Sequence, residues 1–299
     1  MLLILKSKQE SSPETQKGID MLIRKLTEKG IETEISSMEK IELFISNEAS
    51  EAFIDKKPLS RYKAVFFRRV GKKRSLASIL SNIAKKNGIL FIDKLYENSN
   101  DPGKLSQMFF LSSAGIPVPK TYFSSQYDSF SMNRAEKFLG LPMVVKFSQS
   151  RKGLGVFLAK NKEEALEITR KNPEEEIILQ EFIPNDFDYR VLVLGDEAAC
   201  VIKRERPDKK EEFRNNVHLG ASEEFMDLSK VPPFIKSVAV AAAKLTNIQV
   251  AGVDVVVDKN NDPFIFEVNR SPAFTYDEKV SDETSVLADY LCEYHQGKK

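Results

Sequence analysis

Two acids and an amide lie within the apolar segment 250–269, and these residue types at this spacing suit metal chemistry. The segment has β-rich runs on either side of Lys-Asn-Asn-Asp, a turn-forming sequence. Such a pattern predicts a β-hairpin. A four-residue loop would pair Asp258 with Pro263 and Val256 with Ile265, and this pairing sets the register of the hairpin.

In this register Asp254 faces Glu267, and Gly252 faces Asn269, with these side chains on one face of the strand pair. Carboxylates directly opposite each other repel, and apolar surroundings raise the cost. A divalent cation would offset that repulsion, and carboxylate and amide oxygens suit magnesium carrying phosphate groups. We therefore predict Asp254, Glu267 and Asn269 as metal ligands. The alternative is that both acids are solvated or paired with Lys or Arg.

A second group of residues could bind phosphate. Lys146 lies within the apolar strand 143–147, and the following loop contains Gly153 and Gly155. Backbone N–H groups of such a loop can bind phosphates while the lysine supplies positive charge. The alternative is that the glycines shape a hairpin and the lysine extends to solvent.

Further charged residues follow the strand 177–183, whose end could offer backbone groups to an adenine ring. Asp188 and Arg190 share a face if their segment is extended. Arg204 and Arg214 are candidates to neutralise a phosphoryl group during transfer. The alternative is a set of weak surface ion pairs.

Alternating strands and helices in residues 1–97 predict a small α/β domain with a parallel sheet. We predict three units, which are an amino-terminal α/β domain (1–97), a lobe with the phosphate loop (98–183) and a lobe with the metal site (184–299). Predicted strands are 2–5, 31–35, 64–67, 89–92, 120–123, 143–147, 156–159, 177–182, 189–194 and 198–203, besides the hairpin. Predicted helices are 13–29, 75–87, 104–114, 162–171, a helix capped by Ser229 and ending near 245, and 283–295.

The composition limits the class of protein. The chain has 299 residues, of which 41% are hydrophobic and 30% charged, as in globular proteins. No apolar run approaches the roughly 18 residues of a membrane span, so we expect a soluble, cytoplasmic protein with no membrane partner. The two cysteines and two histidines lack zinc-ligand spacing, which favours magnesium, manganese or calcium held by oxygen.

The segment 68–74 is densely basic (Arg-Arg-Val-Gly-Lys-Lys-Arg) and follows a predicted strand. Loops at the end of a strand in an α/β domain often bind ligands. An acidic peptide, an amino-acid carboxylate or a glutamate-rich tail could bind this segment. The alternatives are a solvated charged loop and a nucleic-acid patch, although no aromatic residues interleave the basic ones as single-strand binding would favour.

The order of these motifs resembles the ATP-grasp superfamily, and within it the RimK-type glutamate ligases and their relatives. The resemblance covers roughly residues 98–275, and the preceding α/β unit fits the family's first domain. It implies an ATP-grasp fold of class α/β (α+β), with an amino-terminal small parallel α/β domain and two ATP-grasp lobes. The motifs that carry it are Lys146, the glycine loop, 180–183, 188–190, 202–204, 213–216, 252–254 and 267–272.

The resemblance also implies roles for individual residues. Lys104 and Lys146 would contact ATP phosphates, and Asp188 would hold the ribose. Arg204 and Arg214 would stabilise the acyl phosphate. Two magnesium ions would be bound by Asp254, Glu267 and Asn269, with Glu267 bridging. The implied nucleotide-binding set is Lys104, Lys146, Ser150, Gly153, Gly155, Val156, Glu181, Phe182, Ile183, Asp188, Arg190 and Asn216.

The expected activity is that of an ATP-dependent carboxylate–amine ligase that forms an amide through an acyl phosphate. Its cofactors would be ATP and magnesium or manganese. Its partners would be an amino acid and a peptide, protein or small-molecule acceptor, and homo-oligomerisation stays open. The alternatives are a phosphotransferase and a non-catalytic nucleotide-binding module. The chain departs from the family pattern at Arg270, 273–276 and 218–221, where the acceptor should lie.

Overall fold

The computed structural model describes residues 1–8, 13–46, 50–97, 103–148, 155–206, 213–214, 220–275 and 280–299. Its strands are β1 (Leu2–Lys6), β2 (Thr33–Ser37), β3 (Ile41–Ile45), β4 (Ser50–Ile54), β5 (Lys57–Pro58), β6 (Ala64–Phe67), β7 (Leu90–Ile92), β8 (Thr121–Tyr122), β9 (Met143–Phe147), β10 (Val156–Ala159), β11 (Ile177–Glu181), β12 (Phe187–Leu194), β13 (Glu197–Glu205), β14 (Ser222–Phe225), β15 (Val250–Val257) and β16 (Pro263–Arg270). Its helices are α1 (Pro13–Glu28), α2 (Arg74–Lys86), α3 (Lys104–Ser113), α4 (Ser129–Leu139), α5 (Lys162–Lys171), α6 (Pro233–Leu245) and α7 (Glu283–Gln296).

The first sheet is parallel, with strand order β2-β1-β6-β7. Its central strand β1 is continuously apolar, as expected for a strand covered on both faces. Leu3 and Leu5 pack into one hydrophobic cluster with α2, while Leu2 and Ile4 pack into another with α1. The predicted small parallel α/β domain is therefore confirmed.

Four strands and one helix were not predicted from the sequence. The short strands β3, β4 and β5 form a separate antiparallel sheet between β2 and β6. Helix α4 begins after Asp128, whose side chain accepts from the Ser131 N–H in a capping box, a signal that the sequence does contain. Strand β14 is largely polar and pairs with β13 at a sheet edge, so no hydrophobic pattern marks it.

The second sheet has the order β10-β9-β11-β8, and the third has the order β14-β13-β12-β15-β16. Helices α4 and α5 cover the second sheet, whereas α6 covers the third. Each of these sheets falls within one of the two units predicted after residue 97, although the boundaries themselves stay a prediction. None of the helices in the described ranges is long and apolar enough to cross a membrane.

The hairpin of β15 and β16 shows why part of the predicted register is wrong. Val257, and not Asp258, pairs with Pro263, so the loop contains five residues. The Asp258 carboxylate accepts backbone N–H bonds from Asn260 and Asp262 at 2.8 and 2.9 Å, and it thereby joins the loop. The predicted Val256–Ile265 pair is also wrong, since Ile265 pairs with Val255.

An extra residue at Phe266 compensates for this error. The register shifts between Asp254 and Val255, so two residues of β15 are matched by three of β16, which is a β-bulge. Beyond the bulge Asp254 pairs with Glu267 and Gly252 pairs with Asn269. Both predicted pairings at the candidate site are therefore confirmed.

The predicted cap of the helix before β15 is wrong. Helix α6 begins at Pro233 with Pro232 as its N-cap, and no side chain caps it. The Ser229 hydroxyl instead donates to the Asp227 carboxylate at 2.8 Å. Proline needs no N–H partner at the first turn, so the helix begins without a polar cap.

Asp93 joins the first sheet to the third. It follows β7, is 1% exposed and accepts backbone N–H bonds from Gln249 and Val250 at 2.8 and 2.9 Å. Burial raises the pKa of Asp93 to about 7, although these bonds and the charges of Arg68 and Arg270 oppose the shift. The folded protein therefore holds this proton in a pH range where the unfolded chain has lost it.

Replacing Asp93 by asparagine should make stability less dependent on pH. Because the folded pKa is raised, this group's contribution to stability falls as pH rises from about 4 to about 7. The amide keeps an oxygen for both backbone bonds and cannot ionise. We expect the melting temperature of Asp93→Asn, relative to wild type, to increase from pH 5 to pH 8. Asp196→Asn, at an exposed turn, is the control, and parallel pH profiles for wild type and Asp93→Asn would contradict the argument.

Candidate active site

The predicted metal ligands lie together on adjacent strands. Asp254 is the cross-strand partner of Glu267, and the Asn269 Nδ2 donates to Asp254 Oδ2 at 3.2 Å. This orientation leaves the Asn269 amide oxygen for another partner. The Glu267 carboxylate is half-buried, and no hydrogen bond or ion pair from another described residue reaches it.

Asp254 is held by two arginines. Arg190 binds it through both carboxylate oxygens, at 2.6 and 2.9 Å, and Arg204 Nη2 lies 3.0 Å from Oδ1. Burial alone would raise the pKa of Asp254, but the two guanidinium groups hold it below its usual range. Pairing with arginine, the alternative considered from the sequence, is therefore correct for Asp254 but not for Glu267.

The donor set fits a hard divalent cation at Glu267 and Asn269, whose oxygens face the same side of the strand pair. Asp254 contributes a third oxygen group, although both of its oxygens already accept hydrogen bonds from arginine. Within the described ranges, no three His, Cys, Asp or Glu side chains are grouped closely enough to hold an ion. Any metal here would therefore depend on two acids and an amide, a chemistry typical of magnesium.

Lys146 brings the second sheet to this site. It lies in β9, and its Nζ is 4.8 Å from the ring centroid of Phe266, the residue before Glu267. Burial lowers the pKa of Lys146 to about 8, and the nearby Glu267 and Asp254 carboxylates oppose that shift. A lysine of one sheet thus lies over the acidic strand pair of another, as phosphate binding between two lobes requires.

Other predicted phosphate contacts lie around the same end of β9. The Lys104 Nζ donates to the Phe147 carbonyl at 3.4 Å, and the Arg214 Nη1 donates to the Val156 carbonyl at 3.4 Å. Gly155 accepts from the Phe147 N–H at 2.8 Å, which closes the loop at its base. The predicted contacts Ser150, Gly153 and Asn216 lie outside the described residues.

The predicted adenine contacts lie at the end of β11. The Glu181 carboxylate accepts from the Lys120 N–H at 2.8 Å, and the Glu181 N–H donates to the Lys120 carbonyl at 3.0 Å. The Glu181 N–H and one of its carboxylate oxygens are therefore already bonded to Lys120. Phe182 and Ile183 continue beyond the strand, and the Phe182 ring meets the Phe213 ring edge-on at 6.2 Å.

Asp188 and Arg190 do share a face, as the sequence predicts, but Asp188 is engaged. It pairs with Arg204 across β12 and β13, and its two oxygens accept from that guanidinium at 2.6 and 2.8 Å. Both groups are buried. These bonds identify Asp188 as the partner that orients Arg204, while the ribose contact stays a prediction.

Gln107 was missed by the sequence analysis. This buried side chain of α3 donates to the Val268 carbonyl at 3.0 Å and accepts from the Val268 N–H at 2.8 Å. It thereby completes the outer edge of β16 between Glu267 and Asn269. No local pattern could have found it, because 161 residues separate the partners.

The basic segment 68–74 is divided between two environments. Arg68 is only 4% exposed and donates to the Pro272 carbonyl at 2.6 Å. Arg68 therefore belongs neither to a solvated loop nor to a docking surface, because residues after β16 cover the first sheet at this point. Lys72 and Lys73 are exposed, so both interpretations remain for them.

The sequence of this chain is similar to that of a known protein family. The model of the RimK-like ATP-grasp domain matches residues 102–288. The chain belongs to the RimK-like ATP-grasp family. A probable alpha-L-glutamate ligase from Legionella pneumophila is 32% identical over 215 residues, which are 71% of this chain and 68% of the relative. A relative of the same description from Methanococcoides burtonii is 32% identical over 194 residues, or 63% of this chain and 62% of its own length.

Solved structures confirm the predicted ATP-grasp fold of this RimK-like chain. The ATP-grasp ligase PsnB, complexed with minimal precursor, Mg and ADP, superposes with a TM-score of 0.74 at 18% identity, covering 98% of this chain and 97% of PsnB. D-alanine–D-alanine ligase from Bacillus anthracis gives 0.68 at 18% identity, with 100% and 99% covered. The chain is thus an ATP-dependent ligase by family, as the sequence predicted.

Proposed function

We propose that this RimK-like ligase uses ATP to join an amino acid to a carboxylate of a peptide or small-molecule acceptor. The observation that carries the proposal is the Glu267 carboxylate, which lies opposite Asp254 and beside the Lys146 ammonium without a hydrogen bond from any described residue. An acid held in this way, next to a lysine that would contact phosphate, suits the cation that accompanies a nucleoside triphosphate.

In the first step, an acceptor carboxylate oxygen attacks the γ-phosphorus of ATP, and the bond to the bridging oxygen of ADP breaks. Lys104 and Lys146 would hold the phosphates, and Arg204 and Arg214 would stabilise the charge that develops on the transferring group. Magnesium, or manganese in its place, would be held by Asp254, Glu267 and Asn269 and would neutralise phosphate charge. That neutralisation is the chemistry the cation supplies.

In the second step the amine attacks the acyl carbon, phosphate leaves and the amine loses a proton to solvent. No covalent nucleophile of the protein is needed, because positioning and charge stabilisation suffice for phosphoryl and acyl transfer of this kind. The Lys146 pKa of about 8 leaves the side chain charged at neutral pH. Use of ATP also favours a cytoplasmic location.

The named relatives support the choice of substrates. Glutamate is in the description of the Legionella relative, and a precursor peptide is in that of the PsnB complexes. An amino acid and a peptide carboxylate are therefore the first substrates to test here. Neither a phosphotransferase nor a non-catalytic module is favoured, since the matched proteins are named as ligases.

The deciding experiment supplies ATP, magnesium, an amino-acid pool and triglutamate, and measures phosphate release and product mass. We expect phosphate release that requires both an amine and triglutamate, with a product heavier by one or more amino-acid residues. Phosphorylated triglutamate formed without any amine requirement would instead identify a phosphotransferase. ATP binding without turnover under every combination of amino acid and acidic peptide would contradict the ligase proposal.

The exposed basic residues before α2 give a second test, at the acceptor. Lys73 is the N-cap of α2, no side chain caps this helix, and its first turn contains no acid, so the helix dipole adds to the local positive charge. Lys72→Glu/Lys73→Glu should raise the KM for triglutamate several-fold, because it repels an acidic acceptor. The KM for ATP should stay the same, and the effect should shrink at high salt.

The matched control is Lys85→Glu/Lys86→Glu, which makes the same charge change at the other end of α2. Lys85 forms only a surface ion pair with Glu97 at 2.8 Å, and such pairs contribute little stability. Equal effects of the two double variants on the KM for triglutamate would show that net charge, and not the amino-terminal end of α2, is responsible.

A further inference from the structure

Residues 271–275, which we call the strap, leave β16 directly after the candidate metal ligands and meet the first sheet. The Arg68 Nη2 donates to the Pro272 carbonyl at 2.6 Å, and the Arg69 N–H donates to the Ser271 hydroxyl at 3.2 Å. Arg69 and Ser271 both have left-handed backbones, with φ of 57° and 54°. Such φ values are costly outside glycine, so the two segments hold each other in an unusual backbone conformation at this point.

Arg68 contacts the strap in a second way. Its guanidinium carbon lies 4.9 Å from the centroid of the Phe274 ring, within the range of a cation–π interaction. Phe274 is only 9% exposed and packs with Leu22 of α1 and Leu287 of α7. The Arg68 guanidinium thus donates a hydrogen bond to the Pro272 carbonyl and stacks its planar face on the Phe274 ring, which a lysine could not do.

The far end of the strap is fixed by α7. The Thr275 N–H donates to the Glu283 Oε2 at 2.8 Å, and the Ser281 hydroxyl donates to the same oxygen at 3.2 Å. Glu283 is 2% exposed. The strap is therefore bound at both ends by buried ionisable side chains, one directly after β6 and one at the start of α7.

The strap also lies beside the candidate active site. Pro272 lies so close to Gly252 that a Cβ at Gly252 would be 2.8 Å from the Pro272 Cβ and 3.2 Å from the Arg190 Cδ. Arg190 is one of the two arginines that hold Asp254. Pro272 and Arg190 therefore flank the same glycine of β15, two residues before Asp254.

The order of groups along β16 shows which part of the site the strap borders. Lys146 lies over Phe266, at the nucleotide end, and Glu267 and Asn269 follow along the strand. The strap comes next, on the side of the metal ligands away from Lys146. If Lys146 holds the phosphates, as the proposed function has it, the group that receives the phosphoryl approaches from this side.

We propose that Arg68 is a positioning residue that fixes the strap as a wall of the acceptor site. This inference rests on the proposed ligase function. Through this contact the first sheet, which carries none of the residues assigned to ATP, shapes binding of the acceptor. This contact explains part of the departure from the family pattern. The Phe274 ring packs against the Arg68 guanidinium, whereas Ala273 is exposed.

The test compares Arg68→Gln and Arg68→Lys with wild type, using triglutamate and the amino-acid pool. We expect Arg68→Gln to lower kcat/KM for triglutamate about ten- to a hundredfold, mainly through KM, because a small displacement of a binding wall is costly. The KM for ATP should change less than about twofold. Arg68→Lys should recover part of the loss, since an ammonium can donate to the Pro272 carbonyl but has no planar face.

The control is Arg61→Gln, which removes an exposed arginine of the same domain and should change neither KM. Equal increases in the KM for ATP and for triglutamate in Arg68→Gln would overturn the proposal, because they would indicate general damage. Should Arg68→Gln fail to fold, Ser271→Ala removes the acceptor of the Arg69 N–H. It should raise the KM for triglutamate selectively, and an unchanged KM would overturn the proposal.

A measurement that needs no activity separates this inference from the ligase proposal. Amide hydrogen exchange within 271–275 should accelerate in Arg68→Gln while exchange within β15 stays slow. Unchanged exchange in the strap refutes the positioning role. A wild-type protein that releases no phosphate with triglutamate and the pool refutes the proposed function instead.

Discussion

Glu267→Gln is expected to lower ATP turnover by at least about a hundredfold while leaving the protein fully folded. The substitution keeps the size of the side chain and removes one negative charge from the oxygens proposed to hold magnesium. Glu267 lies opposite Asp254, which repels it, and beside the Lys146 ammonium, which attracts it, and no described side chain hydrogen-bonds to it, so removing its charge should change stability little. The melting temperature without ligand should therefore stay nearly the same.

Two measurements check this prediction. One is phosphate release at saturating ATP and magnesium, and the other is thermal unfolding without ligand. Glu224→Gln is the matched control, since Glu224 is an exposed glutamate of β14 in the same sheet, and it should change neither quantity. Full activity of Glu267→Gln would reject the assignment of the site. A large loss of melting temperature would show that the carboxylate is structural.

Arg204→Met should lower both stability and turnover. Both effects should be larger than those of Arg190→Met, the same change at the other arginine on Asp254. Arg204 is buried and binds Asp188 through two oxygens and Asp254 through one. Methionine fills similar space but leaves the buried Asp188 carboxylate without its partner. Breaking a buried ion pair from one side typically costs about 3–5 kcal/mol. Turnover should fall because charge stabilisation of the transferring phosphoryl group is lost.

A double variant separates the two effects. Arg204→Met/Asp188→Asn removes the stranded charge, so it should regain most of the lost stability, whereas turnover should stay low. The control is Arg206→Met, two residues further along, whose Asp186 partner is 98% exposed. Recovery of turnover in the double variant would mean that Arg204 has no catalytic part, and an unchanged melting temperature for Arg204→Met would contradict the buried-pair argument.

The sequence predicted the centre of the site better than its surroundings. Side-chain alternation and the register counted from the turn placed Asp254 opposite Glu267 correctly, even though the assumed loop was one residue too short. The bulge at Phe266 cancels the error, because it adds one unpaired residue to β16 between the loop and Glu267. Which acids meet could therefore be predicted from the sequence, but where the loop ends could not.

Contacts between distant segments could not be predicted. Gln107 reaches Val268 across 161 residues, and Arg68 reaches Pro272 across 204. A basic segment has the same local pattern whether its arginines face water or a carbonyl of another sheet. The environment of Arg68 is set by the strap, whose Phe274 packs between α1 and α7.

The bulge in β16 also has an evolutionary consequence. The acids are held in register from both outer sides, by Arg190 opposite Asp254 and by Gln107 on Val268, and not by the length of the hairpin loop. Insertions at the tip around Asn260 should therefore be tolerated without displacing the predicted metal ligands. This tip is a natural place for lineages to vary, and for a fluorescent label to be attached.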